Sequence, residues 1–183
     1  MIRGVGVLLL LAVSAARAQE GVFIAEADAP KAVFRGADVA GRDEVVATPA
    51  RRTAVTAALG GQAPSMWEEH WIVFRVTRAG APAGRAIVVE EIGKHRPITF
   101  VVGLRPDRSV EDVAVMAYRE AYGGEIASRR FLAQYAGKAP GADLRETSGI
   151  KNVAGATLSV EAASRAVKKA QAIAAVLDAE ASR

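Results

Sequence analysis

The chain has 183 residues, with 24 Lys and Arg, 20 Asp and Glu, and no cysteine. The lack of cysteine excludes disulfides, thiolate metal sites, a cysteine nucleophile and a lipid-modified N-terminal cysteine. The basic residues are scattered and are not interleaved with aromatic residues, which argues against a nucleic-acid partner.

The first eighteen residues predict a secretory signal peptide. Arg3 gives a positive start, an apolar stretch centred on Leu8–Leu11 follows, and the Ala-Arg-Ala sequence at 16–18 has the form of a cleavage site. The apolar stretch is short for a membrane-spanning helix, which needs about 20 residues. We therefore expect cleavage after Ala18, a periplasmic protein, no transmembrane segment in the mature chain, and a single domain over residues 19–183.

The predicted elements follow in chain order. Short helices are expected at 28–34 and 49–60, on either side of a strand at 38–48 that bends at Gly41. Further strands are expected at 71–77, 85–92, 97–104 and 110–119, and the first two form a hairpin. After Gly123 and Gly124 come a helix at 128–135, a loop at 137–150 and a helix at about 159–179. This order predicts an α+β fold, a twisted and mainly antiparallel sheet packed by helices.

The last helix is the clearest of these elements. Apolar residues recur every three or four positions from Val160 to Leu177, which is typical of an amphipathic helix with one buried face. Arg165, Lys168 and Gln171 are expected on the opposite, polar face. The apolar stripe is narrow and rich in alanine, so we expect this long C-terminal helix to lie close against the sheet.

A turn of small residues and hydroxyls opens that helix, with the sequence Ala-Gly-Ala-Thr-Leu-Ser at 154–159. Free N–H groups of a first helical turn and the helix dipole favour a bound phosphate. Gly155 and Ala156 let a ligand approach the backbone closely, and Thr157 and Ser159 supply hydroxyls. The alternative is a plain helix cap, which is the commoner use of such a hydroxyl.

The Gly-Ala-Thr-Leu-Ser run resembles the flavin-attachment motif of FMN-binding domain proteins, which include flavin subunits of the sodium-translocating NADH:quinone reductase and of the Rnf electron-transport complex. Segments 90–100 and 118–125 are similar to the central part of small soluble members, and the resemblance covers residues 65–178. It implies FMN as the cofactor, a sheet closed by the helix after the motif, and a flavin transferase that joins the FMN phosphate to the Thr157 hydroxyl.

Two positions depart from the family motif. Lys151 stands where the family usually has Asp, and Ala154 stands where it has Ser or Thr. The resemblance implies that these two positions matter for recognition by the transferase. Attachment of FMN as a phosphoester on Thr157 and binding of FMN without a covalent bond therefore both stay open.

The resemblance also directs attention to residues outside the motif. Tyr122, near Gly123, is a candidate to pack on the flavin ring, with plain core or edge packing as the alternative, and Glu120 is a candidate to bond the ribityl chain or ring edge. His95 lies in a polar break between two strands and is a candidate proton relay, the alternative being a solvent-facing loop histidine. The predicted cofactor-binding set comprises His95, Glu120, Tyr122, Gly123, Gly155, Ala156, Thr157, Leu158 and Ser159.

No catalytic constellation and no metal site are predicted. His70 and His95 lie far apart in sequence, and the chain lacks nucleophile-elbow, phosphate-loop and dinucleotide-binding motifs. The adjacent pairs Glu68-Glu69 and Glu90-Glu91, if on strands, would each split across the two faces of the sheet. A carboxylate dyad built from either pair alone is therefore not expected.

The sequence favours an exported electron carrier over an enzyme with its own small-molecule substrate. In this interpretation, the protein passes electrons between a membrane redox protein and another partner. Two alternatives stay open. One is a module that binds FMN or another phosphorylated ligand without redox duty, and the other is a flavin-free scaffold of an envelope complex.

Overall fold

The computed structural model describes residues 21–145 and 148–183, so the predicted signal peptide and its cleavage site lie outside the described residues. Helices pack on an antiparallel sheet, which confirms the predicted α+β class. The strands are β1 (Gly21–Val22), β2 (Asp38–Val46), β3 (His70–Arg78), β4 (Ala81–Ile92), β5 (Pro97–Leu104) and β6 (Val110–Tyr118). The helices are α1 (Ala29–Val33), α2 (Pro49–Ala58), α3 (Arg129–Leu132) and α4 (Thr157–Ala181), with 3-10 turns at Glu26–Asp28, Gly124–Ala127 and Ala133–Tyr135.

The sheet has six strands in the order β1-β6-β5-β4-β3-β2, and all neighbours are antiparallel. Strands β2 to β6 pair in chain order. Short turns join β3 to β4, β4 to β5 and β5 to β6, as antiparallel neighbours allow, whereas the β2–β3 connection carries helix α2. The register places Ile92 opposite Pro97 and Thr99 opposite Ala117. The β4–β5 turn and the end of β6 therefore lie together at one end of the sheet.

Both faces of the central strands are buried. On one face, Trp71 and Val73 of β3 belong to a large core with α4, and on the other face Phe74 belongs to a smaller core with Val33 and Phe34 at α1. Successive residues of β3 thus alternate between two apolar cores. A sheet covered on both sides needs apolar residues at nearly every position of its central strands.

Helix α4 is longer and more deeply buried than the narrow stripe indicates. It begins at Thr157, two residues earlier than predicted, and runs for 25 residues. It packs on β4 and β5, as expected, and on α2. The expectation of a polar position for Gln171 is wrong, because its amide is buried and donates to the carbonyls of Arg108 and Lys138, both at 3.1 Å. The segment before α4 also covers the helix, which leaves it little polar face.

A buried ion cluster ties α4 to β4. Lys169 is only 1% exposed, and its Nζ lies 2.6 Å from Glu68 Oε2 and 2.8 Å from Glu91 Oε1. Arg165 Nε lies 3.1 Å from Glu91 Oε2. Burial raises the pKa of Glu68 even though the nearby Lys169 ammonium acts to lower it. Glu90 and Glu91 do diverge on β4, but Glu68 and Glu91 meet on one lysine, a contact that sequence spacing does not reveal.

Candidate functional site

A cavity of about 490 Å³ opens where three segments meet at the end of the sheet. Such a volume lies within the range of about 300–1,000 Å³ for small-molecule sites. The cavity is lined by Lys94, His95, Glu120, Ala121, Tyr122, Gly155, Ala156, Thr157, Leu158 and Ser159. The fold thus brings together all of the predicted cofactor-binding residues except Gly123, which lies behind the cavity wall.

The start of α4 forms one wall and is not capped by a side chain. Ala156 occupies the N-cap position, and the first turn contains no acidic residue. The first hydrogen bond of the helix is donated by the Val160 amide to the Ala156 carbonyl, at 2.9 Å. The N–H groups of Thr157, Leu158 and Ser159 therefore have no acceptor within the helix, and unpaired N–H groups at a helix start favour a bound anion.

The Thr157 hydroxyl is exposed at this wall. Thr157 is the first helical residue and not the cap, and its Oγ1 accepts a hydrogen bond from Asn152 Nδ2 at 3.1 Å. The Asn152 side chain is itself fixed, because its Oδ1 accepts from the Val153 amide at 2.7 Å. A plain capping role therefore does not account for Thr157.

Two glycines shape the site in different ways. Gly155 has a φ of +79°, and a Cβ added there would meet no atom within 4 Å, so the backbone is open to a ligand. Gly123 has a φ of +85°, and a Cβ there would lie 2.9 Å from the Tyr118 hydroxyl and 3.0 Å from Ser159 Oγ. Gly123 thus allows the segment after β6 to pack closely on the first turn of α4.

The hydroxyl of Ser159 is turned away from the cavity. Tyr118 is buried and donates its hydroxyl proton to the carbonyl of Tyr122, so Ser159 Oγ, 3.0 Å away, donates to Tyr118. Burial raises the pKa of Tyr118, which keeps the phenol protonated for this donation. Ser159 lines the cavity, but its hydroxyl, expected to be available for a ligand, is already in use.

Glu120 fixes the β4–β5 turn against the end of β6. Its buried Oε1 accepts from the amides of His95 at 2.5 Å and Arg96 at 2.9 Å. Burial acts to raise the pKa of Glu120, but the N–H donors of Arg96, His95 and Lys94 outweigh it, and the pKa is lowered. The carboxylate is therefore charged at neutral pH in the cavity wall, beside Lys94.

The rim of the cavity is apolar and accessible. Tyr122 is 82% exposed and Leu158 is 45% exposed, and the His95 side chain is also exposed. Tyr122 and Leu158 could cover a flat apolar ring, and the His95 side chain could reach it. Lys94, Ala121 and Asn152 lie outside the predicted cofactor-binding set. Lys94 and Ala121 fall within the segments 90–100 and 118–125 that resemble the family, whereas the only signal for Asn152 is its position in the loop before Thr157.

Residues 93–172 match the model of the FMN-binding domain. This segment contains every predicted cofactor-binding residue, and the match indicates FMN as the cofactor. The groups present suit FMN, since an uncapped helix start faces the same cavity as an exposed aromatic ring. No curated protein matches the chain significantly.

In 21–145 and 148–183, no helix is long and apolar enough to cross a membrane. Nor do His, Asp and Glu side chains gather in the same ranges as a group of three or more that could hold a metal ion.

Proposed function

We propose that this protein is an exported electron carrier that holds FMN in the cavity between the β4–β5 turn and α4. The observation that carries the proposal is the exposed Thr157 hydroxyl at an uncapped helix start, facing the same cavity as the exposed Tyr122 ring. FMN, when bound, supplies one- and two-electron redox chemistry. The chain itself supplies binding, orientation and charge.

Each part of the cavity suits one part of the cofactor. The free N–H groups of Thr157, Leu158 and Ser159 and the ammonium of Lys94 would bind the phosphate. Tyr122 and Leu158 would cover the ring, and the charged carboxylate of Glu120 would accept a hydrogen bond from the ribityl chain or ring edge. His95, exposed at the rim, would exchange a proton between the ring and solvent.

We further propose that a flavin transferase attaches the FMN phosphate to Thr157. The Oγ–H bond is replaced by an Oγ–P bond, the proton passes to solvent, and the donor is a flavin dinucleotide whose nucleoside monophosphate leaves with the bonding electron pair. The Asn152 amide occupies a lone pair of Thr157 Oγ1 and so orients it. Neither Lys151 nor Ala154, the two departures from the family motif, lines the cavity.

A carrier function fits the accessibility of the site. The exposed rim at Tyr122 and Leu158 would leave the edge of a bound ring open to a partner protein. Redox partners form small and transient interfaces, so no large apolar patch is needed. We propose a membrane redox protein as one partner, in keeping with the resemblance to flavin subunits of membrane electron-transport complexes.

The test is to co-express the chain with a flavin transferase and to record the intact mass and visible spectrum of the purified protein. Thr157→Ala is the test variant, and Thr157→Ser, which keeps a hydroxyl, is its matched control. We expect a yellow wild type with a covalent FMN adduct that Thr157→Ala abolishes and Thr157→Ser retains. The mass also reports whether the chain begins at Gln19, as export with cleavage after Ala18 requires.

Other outcomes separate the alternatives. A yellow protein of unmodified mass would mean that FMN is held by contacts alone, and would overturn the phosphoester. If the bound flavin then accepted no electrons from any donor across a redox titration, a binding module without redox duty would replace the carrier. A colourless and unmodified protein would favour the flavin-free scaffold.

A further inference from the structure

A second cavity, of about 470 Å³, lies at the opposite end of the sheet. It is formed by the β3–β4 hairpin, the turn after β5 and the C-terminal half of α4. Asp178 of α4 lines this cavity, whereas Thr157 of α4 lines the first. At 1.5 Å per helical residue the two positions are about 30 Å apart, so the two cavities are separate sites.

The second cavity combines an apolar floor with a cationic rim. The floor includes Val76, Pro82, Leu104, Pro106 and Ala174. The rim carries four arginines, Arg75, Arg85, Arg105 and Arg108. Asp178 is the acidic residue in the lining. An apolar body with an anionic head would match both parts.

The acidic groups around this rim do not balance its arginines. Asp178 is shared between Arg85, at 2.7 Å, and Arg108, at 3.3 Å. Glu111 is shared between Arg105, at 2.7 Å, and Arg78, at 3.8 Å.

Arg75 has a carboxylate of its own, Asp43, at 3.5 Å. The four rim arginines, together with Arg78 outside the lining, thus meet three carboxylates. Each guanidinium has five N–H donors, so several donors stay available to an anion in the cavity.

The backbone at Arg108 points to a use for its side chain. Arg108 has a φ of +65°, the left-handed region, and among the described residues only Ala79 shares this feature outside glycine. This conformation strains the backbone of an arginine, and a glycine at position 108 would relieve the strain. Strain of this kind is a reason to look for a function of the side chain.

A glycine on β2 also makes room for the rim. A Cβ added at Gly41 would lie 2.3 Å from Arg75 Nη2. The guanidinium of Arg75 therefore lies directly over the backbone of β2, in space that any other residue at position 41 would fill.

We propose that this second cavity binds an amphipathic organic anion, a carboxylate, sulfonate or phosphate head on an apolar body. The head would bind the N–H donors of Arg85 and Arg108 that do not face Asp178, and the body would lie on the floor formed by Leu104, Pro106 and Ala174. This proposal does not depend on flavin binding, because none of these residues lines the first cavity.

The test uses two fluorescent probes with similar apolar bodies, anilinonaphthalene sulfonate, which is anionic, and N-phenylnaphthylamine, which is neutral. Arg108→Gly is the test variant, because it removes the head-group contact and relieves the backbone strain. Arg130→Gln, an exposed arginine on α3, is the matched charge control. We expect saturable binding of the anionic probe, weakened about tenfold or more by Arg108→Gly and unchanged by Arg130→Gln. In all three proteins the neutral probe should bind more weakly than the anionic probe binds the wild type.

Several outcomes would overturn the proposal. Equal affinities for the two probes would mean an apolar pocket without anion recognition, and equal weakening by both substitutions would mean a general charge effect. Should Arg108→Gly fail to unfold cooperatively, Arg85→Gln provides the same comparison. If Tyr122→Ala weakened binding of the anionic probe and the arginine variants did not, the probe would be bound in the flavin cavity. Loss of flavin binding alone leaves this result unaffected, so the two proposals fail separately.

Discussion

The hydroxyls of Tyr118 and Ser159 lie 3.0 Å apart in the interior, joining the end of β6 to the first turn of α4 across 41 residues of sequence. The same phenol donates to the carbonyl of Tyr122. One buried side chain thus connects the segment that bears the exposed Tyr122 ring to the helix start that bears Thr157. It fixes the relative position of the groups proposed to hold the ring and the phosphate.

Replacing Tyr118 by Phe is expected to lower both stability and flavin affinity. The change leaves the Tyr122 carbonyl and the Ser159 hydroxyl without their partner, at a cost of about 1–3 kcal/mol in the free energy of unfolding. Tyr135→Phe is the matched control, because Tyr135 is also buried and bonds Ser164 of α4 at 2.9 Å, away from the cavity. Urea unfolding and FMN titration should show similar losses of stability but a loss of affinity in Tyr118→Phe alone.

Alanine at Gly123 is expected to be more damaging than alanine at Gly155. Both glycines have positive φ, which costs an alanine about 1–2 kcal/mol. Only at Gly123 does the added Cβ collide, with Tyr118 and Ser159, and overpacking adds about 1–3 kcal/mol. Equal losses in urea unfolding would contradict the close packing described here.

Glu120 should make stability depend on pH in the acid range. Its folded pKa is lowered, so its stabilising contribution is present above the ordinary pKa of 4.5 and is lost as the pH falls through the folded value. Glu120→Gln should therefore cost about 1–2 kcal/mol at pH 7 and progressively less below pH 4.5. Thermal unfolding from pH 7 downward measures the difference, and Glu125→Gln, an exposed neighbour, should show no such trend.

Removing the charge of Lys169 is expected to be severe. Lys169→Met leaves Glu68 buried without a cation and Glu91 with Arg165 alone, which costs about 3–5 kcal/mol. The loss should shrink as the pH falls, because without the Lys169 ammonium, which acts to lower the pKa of Glu68, the buried carboxyl binds its proton at a higher pH and then carries no unpaired charge. Lys168→Met removes the same charge from the adjacent exposed position and should have little effect. Similar losses in the two variants would show that the cluster does not stabilise the fold.

The strands and the long helix could be predicted because their signals are local. Strand β5 has its predicted bounds, Pro97–Leu104, and the β-branched run there needs no distant information. Helix α3 is shorter than the predicted 128–135, because a 3-10 turn takes up the second half of that segment. Which residues of α4 are buried was harder to predict. Gln171 was expected on the polar face of the helix, but a loop that folds over it buries its side chain.

The sequence by itself determined the α+β class, because periodicity is a property of neighbouring positions, and it predicted candidate cofactor-binding residues from a short motif and the family resemblance that the motif carries. The tertiary structure alone decided how the chain uses its distant polar groups. It turns the Ser159 hydroxyl inward to Tyr118, brings Glu68 and Glu91 onto Lys169, and gathers arginines from three elements around a second cavity. Such contacts join residues far apart in the chain, and their partners are chosen by packing and desolvation, which spacing does not encode.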